Sequence, residues 1–217
     1  WSSDSKSIYF TVQEKGYQPL YKITIDNMKI EKLIENVAIS SFVISPKDDD
    51  AFFTYTFTYK PVDIACYNFL KKEIKDLTFF NKEFIDSVDV RPSEQAWVKG
   101  ADGTLVHVFI VKPHGFDLSK KYPVVVNVHG GPQMQWMDSF RADWQIYPGA
   151  GYVVVYPNPH GSTGYGQQYT AAISNDWDGK VYEDIMKVTD YIETLPYVDK
   201  NRIGAMGWSY GGYFMNL

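Results

Sequence analysis

The sequence predicts two architectures in one chain: antiparallel blades at the end of a β-propeller over residues 1–85, and a mostly parallel sheet with flanking helices over residues 86–217. Three observations carry this expectation. The first part repeats with a shift of about 43 residues, the second part is built of continuous β-branched runs, and a glycine-flanked serine stands between the last of those runs and a helical stretch.

The repeat is one of turn and strand together. Trp1-Ser2-Ser3-Asp4-Ser5-Lys6-Ser7-Ile8-Tyr9-Phe10-Thr11 lies over Ile44-Ser45-Pro46-Lys47-Asp48-Asp49-Asp50-Ala51-Phe52-Phe53-Thr54, a polar turn followed by an aromatic strand in both. Further on, Ile30 and Leu33 lie over Ile74 and Leu77. A period of about 40–50 residues made of short alternating strands, such as Tyr21-Lys22-Ile23-Thr24-Ile25, is that of a propeller blade. Two blades do not close a propeller, which needs about 4–8, so the chain is expected to start inside a larger protein.

After Asp86 the pattern changes. Glu94–Val98 and Thr104–Val111 flank Lys99-Gly100-Ala101-Asp102-Gly103, which reads as a hairpin turn. Three apolar runs follow, Tyr122–Val128, Tyr152–Tyr156 and Arg202–Met206, and continuous runs of this kind read as strands buried on both faces. Between the second and third, Ile185, Val188, Ile192 and Leu195 recur at helical spacing within Tyr182–Leu195. Asp199-Lys200-Asn201 supplies a polar turn before the third run. Strand, helix, strand is the repeating unit of a parallel α/β sheet.

Gly207-Trp208-Ser209-Tyr210-Gly211 is a G-x-S-x-G pentapeptide between the third run and a helix expected over Tyr210–Leu217. A serine nucleophile of this type projects from a sharp turn, and its flanking residues must lack a Cβ to clear the neighbouring strand and helix. Gly207, Gly211 and Gly212 meet that need. His129-Gly130-Gly131-Pro132 follows the Tyr122–Val128 strand directly, where an α/β-hydrolase places one oxyanion donor. The expected donors are the backbone amides of Gly131 and Tyr210, which would stabilise charge on the carbonyl oxygen of a tetrahedral intermediate. In this fold the triad runs Ser, Asp or Glu, then His along the chain. His107, His114, His129 and His160 all precede Ser209, so the base and its carboxylate are expected beyond Leu217, and His129 reads as a structural residue of its loop.

Composition narrows the partners. A net charge of −5 and a pI near 5.4, without a basic stripe, predict no nucleic-acid binding. No apolar run approaches the roughly 20 residues of a membrane helix, and the single cysteine, Cys66, makes no internal disulfide. The compartment stays open between cytoplasm and periplasm or exterior, and self-association into a homo-oligomer is equally open. No metal or cofactor is expected, because no His or Cys cluster converges. Asp176, Glu183 and Asp184 read as carboxylates near a helix start. Tyr165, Trp136 and Trp208 read as core aromatics more readily than as pocket walls.

Four segments, His129–Gln133, Asn158–Gly166, Asp176–Asp184 and Gly207–Tyr213, together resemble the prolyl oligopeptidase family of serine peptidases, and within it most the dipeptidyl-peptidase V and acylaminoacyl-peptidase branch. The resemblance implies an α/β-hydrolase lidded by a propeller that admits short peptides, with Ser209 as nucleophile and Gly131 and Tyr210 as oxyanion amides. It also implies release of N-terminal dipeptides, with acylaminoacyl-peptidase or esterase activity as alternatives. From another class, a non-catalytic interaction protein would keep the propeller and let the elbow lapse. Family members that cut after proline place a tyrosine hydroxyl in the oxyanion hole at the position of His129, so its absence argues for two backbone donors. His160 stands where many members have arginine, and Asp178 where glycine is frequent.

Overall fold

A computed structural model describes all 217 residues. The chain divides into two compact units, Trp1–Asp89 with Met137–Phe140, and Val90–Trp136 with Arg141–Leu217.

In the first unit, β1 (Ser7–Thr11), β2 (Leu20–Thr24) and β3 (Lys29–Ile34) form an antiparallel sheet, and β4 (Ala38–Ile44), β5 (Asp50–Phe57), β6 (Lys60–Asn68) and β7 (Glu73–Asp76) form a second one, each in chain order. The sequence repeat has a physical basis in the turns. Ser2 Oγ accepts from the amides of Lys6 and Ser7, and Ser45 Oγ accepts from the amides of Asp49 and Asp50, so one hydroxyl closes the same turn ahead of β1 and ahead of β5. Ser5 and Asp48 take the left-handed backbone at matching places, as do Met28 before β3 and Lys72 before β7. Leu20, Ala51 and Ala65 are fully buried and, with Phe53 and Ile39, form the core of this unit. Met137–Phe140 joins it through Asp138, whose Oδ1 accepts the Thr58 amide at 2.9 Å, and through Phe140, whose amide donates to Thr56 Oγ1 at 2.9 Å. A short helix α1 (Lys82–Ser87), which the sequence pattern did not suggest, follows the second sheet.

The second unit holds β8 (Ser93–Lys99), β9 (Leu105–Val111), β10 (Tyr122–Val128), α2 (Asp143–Gly149), β11 (Val153–Asn158), α3 (Gln167–Ala171), α4 (Gly179–Thr194), β12 (Val198–Gly207) and α5 (Tyr210–Phe214). Its five strands share one sheet in the order β12-β10-β11-β9-β8. β10 pairs in parallel with β11 and with β12, whereas β9 and β8 continue the sheet antiparallel. Val153 and Val155 of β11 face a core shared with Val188 and Ile192 of α4; Val154 and Tyr156, on the other face, pack with Phe109, Trp136 and Trp144. Every residue of β11 is buried.

Within these 217 residues β12 pairs with β10, and Gly204 and Ala205 are exposed. β12 starts earlier than Arg202. Tyr122 pairs with Val198 and Val124 with Ile203, so Asp199-Lys200-Asn201 bulges out of the strand instead of preceding it. Asp199 Oδ1 holds that bulge by accepting the Asn201 amide at 3.1 Å.

α4 begins three residues before Tyr182, because Asp176 accepts the Gly179 amide at 3.0 Å and the Lys180 amide at 3.3 Å and so caps the free first turn. It ends at Thr194. Leu195 precedes Pro196, whose ring disfavours a helical backbone on the residue before it, and Leu195 is extended. α5 occupies Tyr210–Phe214.

Candidate active site

β12 ends at Gly207, α5 starts at Tyr210, and Ser209 occupies the turn between them at φ 56° and ψ −118°. A side-chain-bearing residue held there costs about 1–3 kcal/mol, which the surrounding packing must maintain. Two glycines make that turn fit. A Cβ on Gly207 would lie 2.4 Å from the Gly211 carbonyl, and one on Gly211 would lie 2.0 Å from Val128 O at the end of β10. Gly212 has no such constraint, since a Cβ there would stand 3.4 Å from Gly207 O, an ordinary contact.

The His129–Pro132 loop leaves β10 and packs directly on the elbow. A Cβ on Gly130 would sit 3.1 Å from Trp208 O and 3.3 Å from the Ser209 Cβ, so glycine lets this backbone approach the serine. His129 Nδ1 donates to Gly130 O at 2.7 Å. Carbonyl and amide point to opposite sides of a planar trans peptide, and holding the Gly130 carbonyl toward the imidazole turns the Gly131 N–H the other way. The Tyr210 amide is the first of α5, among the helix's unpaired N–H groups.

His129 is 2% exposed, and burial depresses its pKa to about 4, partly opposed by the Gly130 carbonyl. Nδ1 carries the ring proton toward Gly130 O, and Nε2 lies 2.9 Å from Ser162 Oγ, a hydroxyl that itself donates to Pro159 O at 2.6 Å. Both nitrogens are thus engaged away from Ser209. His107 is spent similarly: Nε2 donates to Gln95 Oε1 at 2.9 Å and Nδ1 accepts from Tyr165 OH at 2.7 Å, with burial holding its pKa near 4. No hydrogen bond joins Ser209 Oγ to an imidazole of the chain; His160 binds Asp184, and His114 lies against Gly149.

These two imidazoles predict a pH dependence. Their folded pKa lies below the unfolded value of about 6.5, so unfolding takes up protons as the pH falls through that value. Their contribution is complete above pH 6.5 and declines toward pH 4, with about 2 kcal/mol lost for each at pH 5. The urea midpoint is expected to fall between pH 7 and pH 5. A flat midpoint over that range would contradict neutral, buried rings at His107 and His129.

Trp136 and Tyr165 are structural. The Trp136 indole donates to Asn127 O at 3.1 Å, and the Tyr165 hydroxyl accepts from Asn158 Nδ2 at 2.8 Å. Trp208, beside the serine, is 83% exposed. The grouping of Asp184 with a helix start does not hold. Asp184 is fully buried one turn further along α4, and its oxygens accept the Ala101 amide at 2.8 Å and both the amide and the ring Nδ1–H of His160 at 2.7 Å. These partners are 83 and 24 residues away in sequence, too far for local spacing to reveal; a carboxylate on the apolar face of the predicted helix was the available signal. No three or more His, Cys, Asp or Glu side chains cluster as metal ligands would, and no helix is long and apolar enough to cross a membrane.

Residues 138–217, which carry α4, β12 and the elbow, match the model of the prolyl oligopeptidase family. This segment is a prolyl oligopeptidase family segment. Along the whole chain, dipeptidyl-peptidase 5 of Schizosaccharomyces pombe is 35% identical over 216 residues, 96% of this chain and 30% of the relative. The uncharacterized peptidase YuxL of Bacillus subtilis is 32% identical over 217 residues, 100% of this chain and 33% of its own length. Among solved structures, the uncomplexed acylaminoacyl peptidase of Pyrococcus horikoshii superposes with a TM-score of 0.86 at 25% identity, covering 98% of this chain and 33% of that one. The chain therefore spans about one third of the length of the relatives it matches. The four segments that suggested the family converge: Asp184 of the Asp176–Asp184 segment binds His160 in the Asn158–Gly166 loop, that loop touches the His129 loop through Ser162, and the His129 loop touches the elbow.

Proposed function

We propose that the protein containing these residues is a serine peptidase that hydrolyses short peptides through an acyl-enzyme on Ser209 and releases N-terminal dipeptides. The second unit is then the N-terminal part of an α/β-hydrolase catalytic domain and the first unit part of a β-propeller. The observation that carries the reading is the backbone of Ser209, held at φ 56° between β12 and α5 with the Gly130 backbone packed against it.

In the reaction, Ser209 Oγ attacks the peptide carbonyl carbon while a base takes the hydroxyl proton. Charge collects on the carbonyl oxygen, where the Gly131 and Tyr210 N–H groups stabilise it. The C–N bond breaks as the base returns the proton to the leaving amine, and water then attacks the ester in the same manner. A neutral serine hydroxyl is a poor nucleophile without that base. Since none of the four imidazoles of this chain hydrogen-bonds to Ser209, the base is taken to be a residue outside these 217.

The 217-residue polypeptide alone is therefore expected to leave dipeptidyl amides intact, whereas the full-length protein cleaves them. Release of dipeptides by the full-length protein, followed by mass spectrometry, tests the reading; turnover by the isolated 217 residues, or none by the full-length protein, would overturn it. The likeness to an acylaminoacyl peptidase structure favours a second reading, removal of N-acylated amino acids, which an N-acetylated peptide tested alongside distinguishes.

A further inference from the structure

The loop that follows β11 shapes the loop that follows β10. Ser162 Oγ meets His129 Nε2 at 2.9 Å, the Thr163 amide donates to Met134 O at 3.0 Å, and Gly161 packs so closely that a Cβ on it would lie 3.3 Å from Pro132 Cβ. One segment thus grips residues 129–134 at three places, on either side of Gly131. What holds that segment in turn is Asp184. Its carboxylate binds His160 twice, through the backbone amide and through Nδ1–H, while its other oxygen holds the Ala101 amide in the turn between β8 and β9. The fit is tight, since a Cβ on Gly100 would lie 2.2 Å from Asp184 Oδ1. The His160 ring stacks on Tyr169 at 4.5 Å between centroids, fixing its plane. One turn earlier on α4, Lys180 reaches Asp102 in the same turn at 3.0 Å.

We infer that Asp184 and His160 are positioning residues for the oxyanion loop, acting through Ser162 and His129 on the Gly130–Gly131 peptide. The inference rests on the reading of Ser209 as nucleophile and of Gly131 as an oxyanion donor. The path runs from a fully buried carboxylate on α4 to the His160 ring, along two residues of backbone to the Ser162 hydroxyl, across to His129, and so to the Gly130 carbonyl whose peptide carries the Gly131 N–H. An amide that stabilises charge only in the transition state affects turnover rather than substrate binding, and a displacement of about 1 Å at such a group costs on the order of 10²-fold in rate.

The test uses the full-length protein with a dipeptidyl amide substrate. His160→Leu removes the ring donor and keeps the backbone amide, whereas His160→Asn places an amide N–H near the position of Nδ1. His160→Leu is expected to lower kcat about 10²-fold with KM within about twofold, His160→Asn to recover most of the loss at the same Tm, and His160→Leu combined with Ser162→Ala to be no slower than the worse single variant. An unchanged kcat in His160→Leu, an equal loss in His160→Asn, or fully multiplicative losses in the double variant would each overturn the inference. Should His160→Leu not fold, Ser162→Ala, which leaves the Asp184 clasp whole, must by itself lower kcat at constant KM; wild-type turnover there also overturns it. Ser209→Ala measured in parallel separates the two levels, because activity surviving in that variant breaks the underlying reading and not this one alone.

Discussion

Ser209→Ala in the full-length protein is expected to cut turnover by about 10⁴–10⁶-fold while leaving substrate affinity nearly unchanged. The size follows from the chemistry. Without the hydroxyl no acyl-enzyme forms, and only the residual effect of the oxyanion donors and of binding is left to assist water. The substitution removes a single oxygen at a site whose backbone is set by its neighbours, so the fold should persist. An alanine variant that turns over within tenfold of wild type would place the nucleophile elsewhere.

Gly211→Ala is expected to have the second-largest effect, and by a different route. The new methyl would arrive 2.0 Å from Val128 O and 2.8 Å from Val128 C, both backbone atoms of the strand that leads into the His129 loop. Neither a rotamer change nor a flexible side chain can relieve this, so β10 or the elbow must move, and overpacking against fixed backbone costs about 3 kcal/mol or more. The expected result is a Tm lowered by several degrees with turnover lost. Gly212→Ala is the control: its methyl meets only the Gly207 carbonyl at 3.4 Å, within a short helix that favours alanine over glycine. It should match wild type within about 1 kcal/mol, and equal destabilisation of the two variants would argue against the packing described for the elbow.

The parts legible in the sequence are those with a local cause. The repeated turn could be read because one serine hydroxyl and a left-handed residue build it twice, at Ser2 and Ser5 and again at Ser45 and Asp48. The Tyr122–Val128 strand could be read because β-branched residues follow one another where both faces are covered. The elbow glycines were legible for steric reasons that the backbone bears out at Gly207 and Gly211, though not at Gly212. The start of β12 was not, since Asp199-Lys200-Asn201 looks the same in sequence whether it precedes a strand or bulges from one. Asp184 was misread because its partners come from other strands and loops, and the same holds for Asp138, which reaches back 80 residues to Thr58.

His129 shows why residue type alone misleads at such a site. An imidazole next to a candidate serine invites the role of base, yet burial keeps the ring neutral and its two nitrogens serve Gly130 and Ser162. Its contribution is geometric: it fixes a carbonyl so that the amide of the same peptide faces away from it.

The measurement that tests the central claim most directly is covalent capture. The full-length protein is treated with a fluorophosphonate, digested, and the adduct located by mass spectrometry. The account predicts one adduct, on Ser209 in the peptide that carries Gly207-Trp208-Ser209-Tyr210-Gly211, and none in the Ser209→Ala variant. An adduct on another serine, or unmodified Ser209 in a preparation that the reagent has fully inactivated, would contradict it.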